Sequence, residues 1–258
     1  MLGALDDKIE LNQRMNETLE ATTRAIFKDW FRDFGPTRAK MEGRVAYLAP
    51  EIWALFPDRL DAEGKPEGWN SSTLGEHMLN FDAKRVPVSG SERTKRQGPY
   101  PYHGATGVMD HVDGYLFDGI YLLIGEDGSV VKESGFAFTQ YVWGKFWANN
   151  HAHVLQGKGS VSTEQLLMYF QHQPVRPYIT GAVQLKLSQG RMNSMPLIYA
   201  GDSICKMFSE VVASLFARVR MCADENRLLA QTRDLLLPNL MAGEIRVKDA
   251  ERAVETAL

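Results

Sequence analysis

Two long stretches without chain breakers frame this sequence and limit what it can fold into. From Asp6 to Asp33 there is no glycine or proline, and "FGP" follows at Phe34 to Pro36. That predicts a single helix of roughly 40 Å, at about 1.5 Å per residue. Along it Leu5, Ile9, Asn12, Asn16, Leu19, Thr23, Ile26 and Trp30 alternate spacings of four and three, the seam of a helix that needs a partner helix. A second helix is expected from Asp202 to Leu237, with Asp202 or Ser203 as N-cap and Pro238 as its stop. Its seam is Phe208, Val212, Leu215, Val219, Cys222, Asn226, Leu229, Arg233 and Leu236.

If the chain between the helices is compact, its ends lie together and the helices pair antiparallel. Seam residues Asn12, Asn16 and Asn226 would cost stability but set the register of such a pair. The middle of the chain reads differently, with glycines, aromatic residues and short apolar runs. "VDGYLFDGIYLLIGEDGSVV" reads as strand, turn, strand, with "EDG" as a hairpin turn joining "YLLIG" to "SVV". "AHVLQ" reads as a further strand, and "STEQLLMYFQHQ" as a short helix capped by Ser162 or Thr163 with Gln165 following. "DAEGKPEGW" at 61 to 69 reads as an exposed loop. The expected class is α+β: a mixed head with strong β content over residues 37–200, and a stalk made of residues 1–36 and 201–258.

Function is constrained mostly by what is missing. No phosphate-cradling loop, dinucleotide fingerprint or nucleophile elbow occurs. His151 and His153 in "NNHAH" could share one face of a strand, but no third ligand stands nearby, so no metal is expected. None of these patterns requires an enzyme. Cys205 and Cys222 are too few for a disulfide framework and point to a reducing, cytoplasmic setting. No run approaches the roughly 18 apolar residues of a membrane span, so no membrane partner is expected.

The net charge is −3, which argues against a surface that binds nucleic acid all over. A local patch stands out nonetheless. Lys84, Arg85, Arg93, Lys95 and Arg96 face a single acid, Glu92, and lead into "GPYPYHGATG", where Tyr100, Tyr102, His103 and Thr106 sit among glycines that let a ligand approach the backbone. Cations for phosphates beside polar and aromatic groups for bases are the two requirements of DNA recognition. A second loop, "TGAVQLKLSQGRMN", offers Gln184, Lys186, Ser188, Gln189 and Arg191.

The two ends, "LDDKIELNQRMNETLEATTRAIFKDWFRDF" and "ENRLLAQTRDLLLPNLMAGEI", resemble the conserved helical regions of specificity subunits of type I restriction-modification systems. "GPYPYHGATGVMDHVDGYLFDGIYLLIGEDG", "KFWANNHAHVL" and "YITGAVQLKLSQGRMNSMPL" resemble segments of that family's target recognition domains. Full-length subunits carry two such domains, so this chain resembles a half-length form, either a natural short product or part of a longer subunit. The resemblance implies a noncatalytic protein that reads one half of a bipartite site in double-stranded DNA. It would dock methyltransferase subunits, which bind S-adenosylmethionine, and through them restriction subunits. No "NPPY" methylation motif occurs in the chain itself, and no cofactor of its own is expected. A further implication is a homodimer through the stalk, which would rebuild a two-headed subunit. Phe27, Phe31 and Phe216, outside the seam, are candidate methyltransferase contacts. Two other readings stand beside this one: a coiled-coil scaffold that never touches DNA, and a small metal-dependent enzyme using His151 and His153.

Overall fold

The computed structural model describes residues 2–246. In chain order it has α1 (Leu2–Phe31), α2 (Gly35–Met41), α3 (Pro50–Trp53), β1 (Asn70–Thr73), β2 (Met78–Asn80), α4 (Gly90–Arg93), β3 (Tyr100–His103) and β4 (Val108–Val112). There follow β5 (Phe117–Gly125), β6 (Thr139–Ala148), β7 (Ala152–Gly157), α5 (Thr163–His172), α6 (Gln189–Asn193), β8 (Pro196–Tyr199) and α7 (Asp202–Met241). The class is α+β, as the sequence implied. Contacts divide the chain into a head unit over residues 26–210 and a helical unit made of the chain before Ile26 and after Glu210. The head therefore extends beyond the 37–200 boundary expected from sequence. Whatever follows Arg246 in the C-terminal segment lies outside the described residues.

In the helical unit the two chain segments run antiparallel, because ascending positions on α1 meet descending ones on α7. Asp6 pairs with Arg233 at 2.8 Å, Lys8 with Glu225 at 3.5 Å, and Asn16 Nδ2 donates to the Val219 carbonyl at 3.2 Å. Asn12 Nδ2 donates to Asn226 Oδ1 at 2.9 Å and to Glu225 at 2.6 Å. Asn12 and Asn16 nevertheless leave buried side-chain oxygens without a hydrogen-bond partner. An asparagine here costs stability and is satisfied only in one register, which is how a polar seam residue specifies pairing. Leu5, Leu229 and Leu236 form the apolar core of this end, with Ile9, Leu240 and Ile245 packed on it.

Pro238 does not stop α7, which continues to Met241. A proline removes only its own N–H, and the next turn closes from Ala242 N to the Pro238 carbonyl at 2.8 Å. Leu240, on that extra turn, joins the leucine core, so packing sustains it. The helix expected to begin at Asp6 begins at Leu2. The "FGP" stop holds: Phe34 takes a left-handed conformation (φ +55°), and the chain turns there into α2 with Pro36 in its first turn.

The head is built on a six-stranded sheet in the order β2-β7-β5-β6-β3-β4, antiparallel except for the β3–β6 pair, with a separate β1–β8 ribbon. The sheet is strongly curled. His103 pairs in register with Ala148 at the end of β6, yet its Nδ1 lies 2.8 Å from Oε1 of Gln140 at the start of the same strand. Gly119 and Gly144, directly opposed in the β5–β6 register and both at positive φ, supply the bend that only glycine makes cheaply. Phe117, Tyr121, Leu123, Val142, Phe146 and Val154 fill the inside of the curl.

A second core is aromatic: Phe27, Trp30, Phe31 and Phe208 lie ring against ring, with Phe56 and Trp69 at its rim. Phe27 and Phe31 belong to this cluster and are buried, and Phe216 is 1% exposed in the helical unit; of the two roles open to them from sequence, docking a methyltransferase or completing a core, all three take the core role, the one expected for Phe31. The predicted cap on α5 is present, since Ser162 Oγ accepts from Gln165 N at 3.1 Å. "DAEGKPEGW" is a tight turn organised by Asp61, whose side chain accepts from the backbone amides of Glu63 and Lys65.

Candidate nucleic-acid interface

The pairing of β5 corrects the "EDG" hairpin. The antiparallel partners of "YLLIG" are β6 and β7, and Val131 only bridges back to Ala137. The reason lies in the charges of Glu126 and Asp127, which are spent elsewhere. Arg85 Nη1 donates to Glu126 at 2.6 Å and to the Ala152 carbonyl at 2.7 Å, while Lys186 reaches Glu126 at 3.2 Å and Asp127 at 3.3 Å.

Beside this pair lies His153, with no exposed surface. Its Nδ1 is 2.5 Å from Asp82 and its Nε2 is 2.7 Å from the Leu187 carbonyl. A carbonyl can only accept, so Nε2 donates to it. Burial would raise the Asp82 carboxyl, but the His153 hydrogen bond and charge, the Val154 amide and Asn80 outweigh it, holding that carboxyl below its usual range. The carboxylate therefore accepts from Nδ1, and both ring nitrogens are occupied.

Asp82, Glu126 and His153 are close enough together to suggest a metal site. The Arg85 guanidinium already stands among them, 2.6 Å from Glu126 and 3.5 Å from Asp82, and neutralises the same carboxylates. His151 is exposed and lies 3.8 Å from Asp127, so it does not share a site with His153. The cluster works as a clasp on the loop that follows Tyr178. Leu187 N donates to the Glu126 carbonyl at 3.0 Å, and Gly128 N to the Leu185 carbonyl at 2.9 Å. Contact with Glu126 also holds the Lys186 ammonium above its usual pKa range, so it stays charged and bound.

The sequence-predicted DNA residues divide accordingly. Arg85 is a clasp residue. Arg93 is bound to Asp110 at 3.0 Å and to the Val88 carbonyl, and covers the Tyr102 ring. Arg96 is bound to Asp113 at 2.9 Å and covers Trp147. Tyr102 is 1% exposed, its hydroxyl accepting from Val88 N at 2.9 Å, and His103 is 6% exposed. Each of these five makes its contacts within the head, Arg96 with its side chain still partly exposed. The linear basic run is thus mostly neutralised by acids brought to it in the fold.

"GPYPYHGATG" is accordingly a β-hairpin arm with aromatic residues packed inward. Glycine is required at 98 because a Cβ there would sit 2.5 Å from the Asp113 Cα. Tyr100 packs on Tyr115 with ring centroids 5.1 Å apart. Only Thr106, in the turn between β3 and β4, faces outward among the candidates of that segment. The turn lies close to the end of β5, since a Cβ on Gly125 would come 3.3 Å from the Ala105 carbonyl. Lys95 is exposed at the opposite end of this hairpin, beside the Arg96–Asp113 contact, and is not brought to the clasp.

In the second loop Gln184 and Gln189 are exposed, Lys186 is held by the clasp, and Ser188 is the N-cap of α6, accepting from Arg191 N. Lys84, Lys132, Arg176 and Arg191 are exposed and take part in no ion pair among the described residues. All four are carried on segments joined to the clasp or to one another: Lys84 follows Asp82, Arg191 follows Leu187, and Val175 N donates to the Gly135 carbonyl in the turn that begins at Lys132. Lys132 and Arg176 were missed from sequence. For Arg176 the signal was available, because from Gln165 to Gly201 there is no acidic residue, while Arg176, Lys186 and Arg191 all fall within that span; Lys132, next to Glu133, carried no such signal.

An α+β head with basic, braced loops, joined in one chain to an antiparallel helix pair, defines the class. Residues 66–199 match the family described as the type I restriction modification DNA specificity domain, which is half the chain, and the protein belongs to that family. The type I restriction enzyme HindI specificity subunit of Haemophilus influenzae is 24% identical over 301 aligned residues, covering 95% of this chain and 66% of that one. The MjaIX specificity subunit of Methanocaldococcus jannaschii is 25% identical over 268 residues, covering 96% and 58%. S.HindORF215P of H. influenzae is 37% identical over 135 residues, which are 52% of this chain and 34% of that one. The chain thus spans between about a third and two thirds of the length of these relatives. Among solved structures, a type I restriction-modification S subunit from M. genitalium aligns over 91% of this chain and 59% of its own, with 16% identity and a TM-score of 0.49. No helix among the described residues is long and apolar enough to cross a membrane.

Proposed function

We propose that this chain is a noncatalytic DNA-reading subunit of a cytoplasmic type I restriction-modification complex, and that its head addresses one half of a bipartite duplex site. The observation that carries the reading is the acid-free segment around residues 176–191, with unpaired cations, braced against the sheet by a buried charge cluster. A loop that must meet base edges has to be held still, and the cations around it supply the phosphate contacts. Lys84, Lys132, Arg176 and Arg191 are assigned to phosphates, and Thr106, Gln184 and Gln189 to base edges.

Engaging about four phosphates gives a slope of roughly −3 to −4 in log affinity against log salt. Replacing Arg191 by alanine should weaken binding to all duplexes alike and make that slope shallower by about one, read by fluorescence anisotropy across a salt series. A scaffold that never touches DNA would show no slope. Methylation would be carried out by partner methyltransferase subunits holding S-adenosylmethionine, with restriction subunits joining through them.

The seam of the helical unit is consumed within the chain, so pairing with a second copy falls to another face. Met221, Leu228 and Leu235 recur every seven residues on α7 and are 61%, 64% and 69% exposed. This stripe is where a second copy would pack, giving two identical heads on a symmetric split site. A helix pair of roughly 40 Å matches the 34 to 36 Å that separates half-sites about one turn apart. Light scattering should give a dimer for the purified chain, and a monomer once all three residues are replaced by glutamate. A strict monomer at micromolar concentration, with or without methyltransferase, would refute the pairing.

A further inference from the structure

Val183 is the most exposed large apolar side chain among the described residues, with a relative exposure of 102%. Leaving a valine in water forgoes the free energy of burying it, and the loop around it is closed at its base. Thr180 and Lys186 close the hairpin with two backbone hydrogen bonds, 2.9 and 2.8 Å. Gly181 sits at φ +89°, where a Cβ would come 2.1 Å from the Gln184 carbonyl, so the tip takes this shape only with glycine. Below the tip, Leu185, Lys186 and Leu187 are held by the Glu126–Gly128 turn and by His153. The fold thus presents an apolar side chain outward at the tip of a short loop closed by one antiparallel bridge, Thr180 to Lys186, and flanked by Ala182 and Gln184 and by no acid.

We infer that Val183 contacts the C5-methyl group of a thymine in the major groove and so fixes an A·T pair in the recognised half-site. The inference rests on the head being a DNA reader. The major groove admits a two-stranded ribbon, and the thymine methyl is the apolar group displayed on its base edges. Gln184, the next residue, carries the amide suited to adenine N6 and N7, which face the same groove. A β-branched side chain beside a carboxamide therefore matches the edge of this pair. The minor groove displays no methyl group, so it gives Val183 nothing comparable to read.

The test uses the full chain, alone and with methyltransferase, to select duplexes from a random pool. Each thymine of the selected site is then replaced in turn by uracil, which removes only the methyl group. One position, or its symmetry mate, should lose about fourfold in affinity, the scale of one buried methyl. Val183→Ser should show the same loss on the thymine duplex and no further loss on uracil, while Val183→Ile should keep the discrimination. The exposed position makes the folding of both variants safe. Uracil tolerated at every position would overturn the inference, and so would a Val183→Ser loss equal on random and selected duplexes. Failure of the wild-type chain to retain any duplex is a separate result, visible before any base is changed, and would remove the DNA-reading function itself.

Discussion

Replacing Asp82 by alanine should destabilise the head by about 3 kcal/mol, the lower end of the range for breaking a buried ion pair by removing one partner. The carboxylate accepts from His153 at 2.5 Å, from the Val154 amide at 2.9 Å and from Asn80 at 3.0 Å, and all three donors would be stranded together. The effect stays at the lower end because Glu126, 3.6 Å from His153, remains as a partner for the ring. Asp82→Asn, which can still accept from Val154 while losing the charge, should cost roughly half as much. The pH dependence has a definite sign. Asp82 is held below its ordinary pKa in the folded protein, so its contribution is complete above the usual carboxylate range and drains away as the pH falls through the lowered value. Urea unfolding between about pH 6 and pH 3 should therefore show a steeper acid loss for the wild type than for Asp82→Asn. Hydrogen exchange should show the Leu187 and Gly128 amides losing protection first, because the clasp releases the loop before the sheet opens. Equal stability of wild type and both variants, within about 1 kcal/mol, would mean that the cluster does not hold the loop.

The second large effect is expected at Phe208. Its ring is fully buried, with centroids 5.2 Å from Phe31, 5.9 Å from Phe27 and 6.0 Å from Trp30. Truncation to alanine removes a large apolar surface and leaves a void among rigid rings that cannot close over it, at a cost of about 3–5 kcal/mol. For a unit of this size that lowers the thermal midpoint by roughly 2–4 °C per kcal/mol, so a drop of about 10 °C is expected by calorimetry. Phe208→Leu, which keeps much of the volume, should recover more than half of the loss. Met221→Ala on the exposed stripe of α7 is the control, expected to change the stability of the unassociated chain by less than about 0.5 kcal/mol. A Phe208→Ala variant as stable as that control would show that the aromatic cluster is not a core.

Much of the fold was legible in the chain because the deciding interactions are local. A seam repeating every three or four residues, a serine three residues before its capped amide, and a helix stop at "FGP" are each written within two helical turns. The asparagines at the seam marked positions that would set a register, and the structure shows which one: Asn12 meets Asn226. Misreadings came where local form was ambiguous. "EDG" has hairpin composition, yet its carboxylates bind Arg85, 41 residues earlier, and Lys186, far later in the chain.

The candidate interface was less legible for the same reason. Arg85, Arg93 and Arg96 look alike in a linear basic run, and only long-range contacts with Glu126, Asp110 and Asp113 separate them from Lys84 and Lys95. Tyr102 and His103 have the chemistry to face a ligand, but the curl of the sheet turns both inward. By itself, then, the sequence determined the two helices, their antiparallel pairing, the β-rich middle and the family. The tertiary structure alone decided which charges remain free for a partner. Helical periodicity and capping act over a few residues, whereas a cation is neutralised by whichever carboxylate the sheet brings to it, and that pairing exists only once the chain has closed on itself.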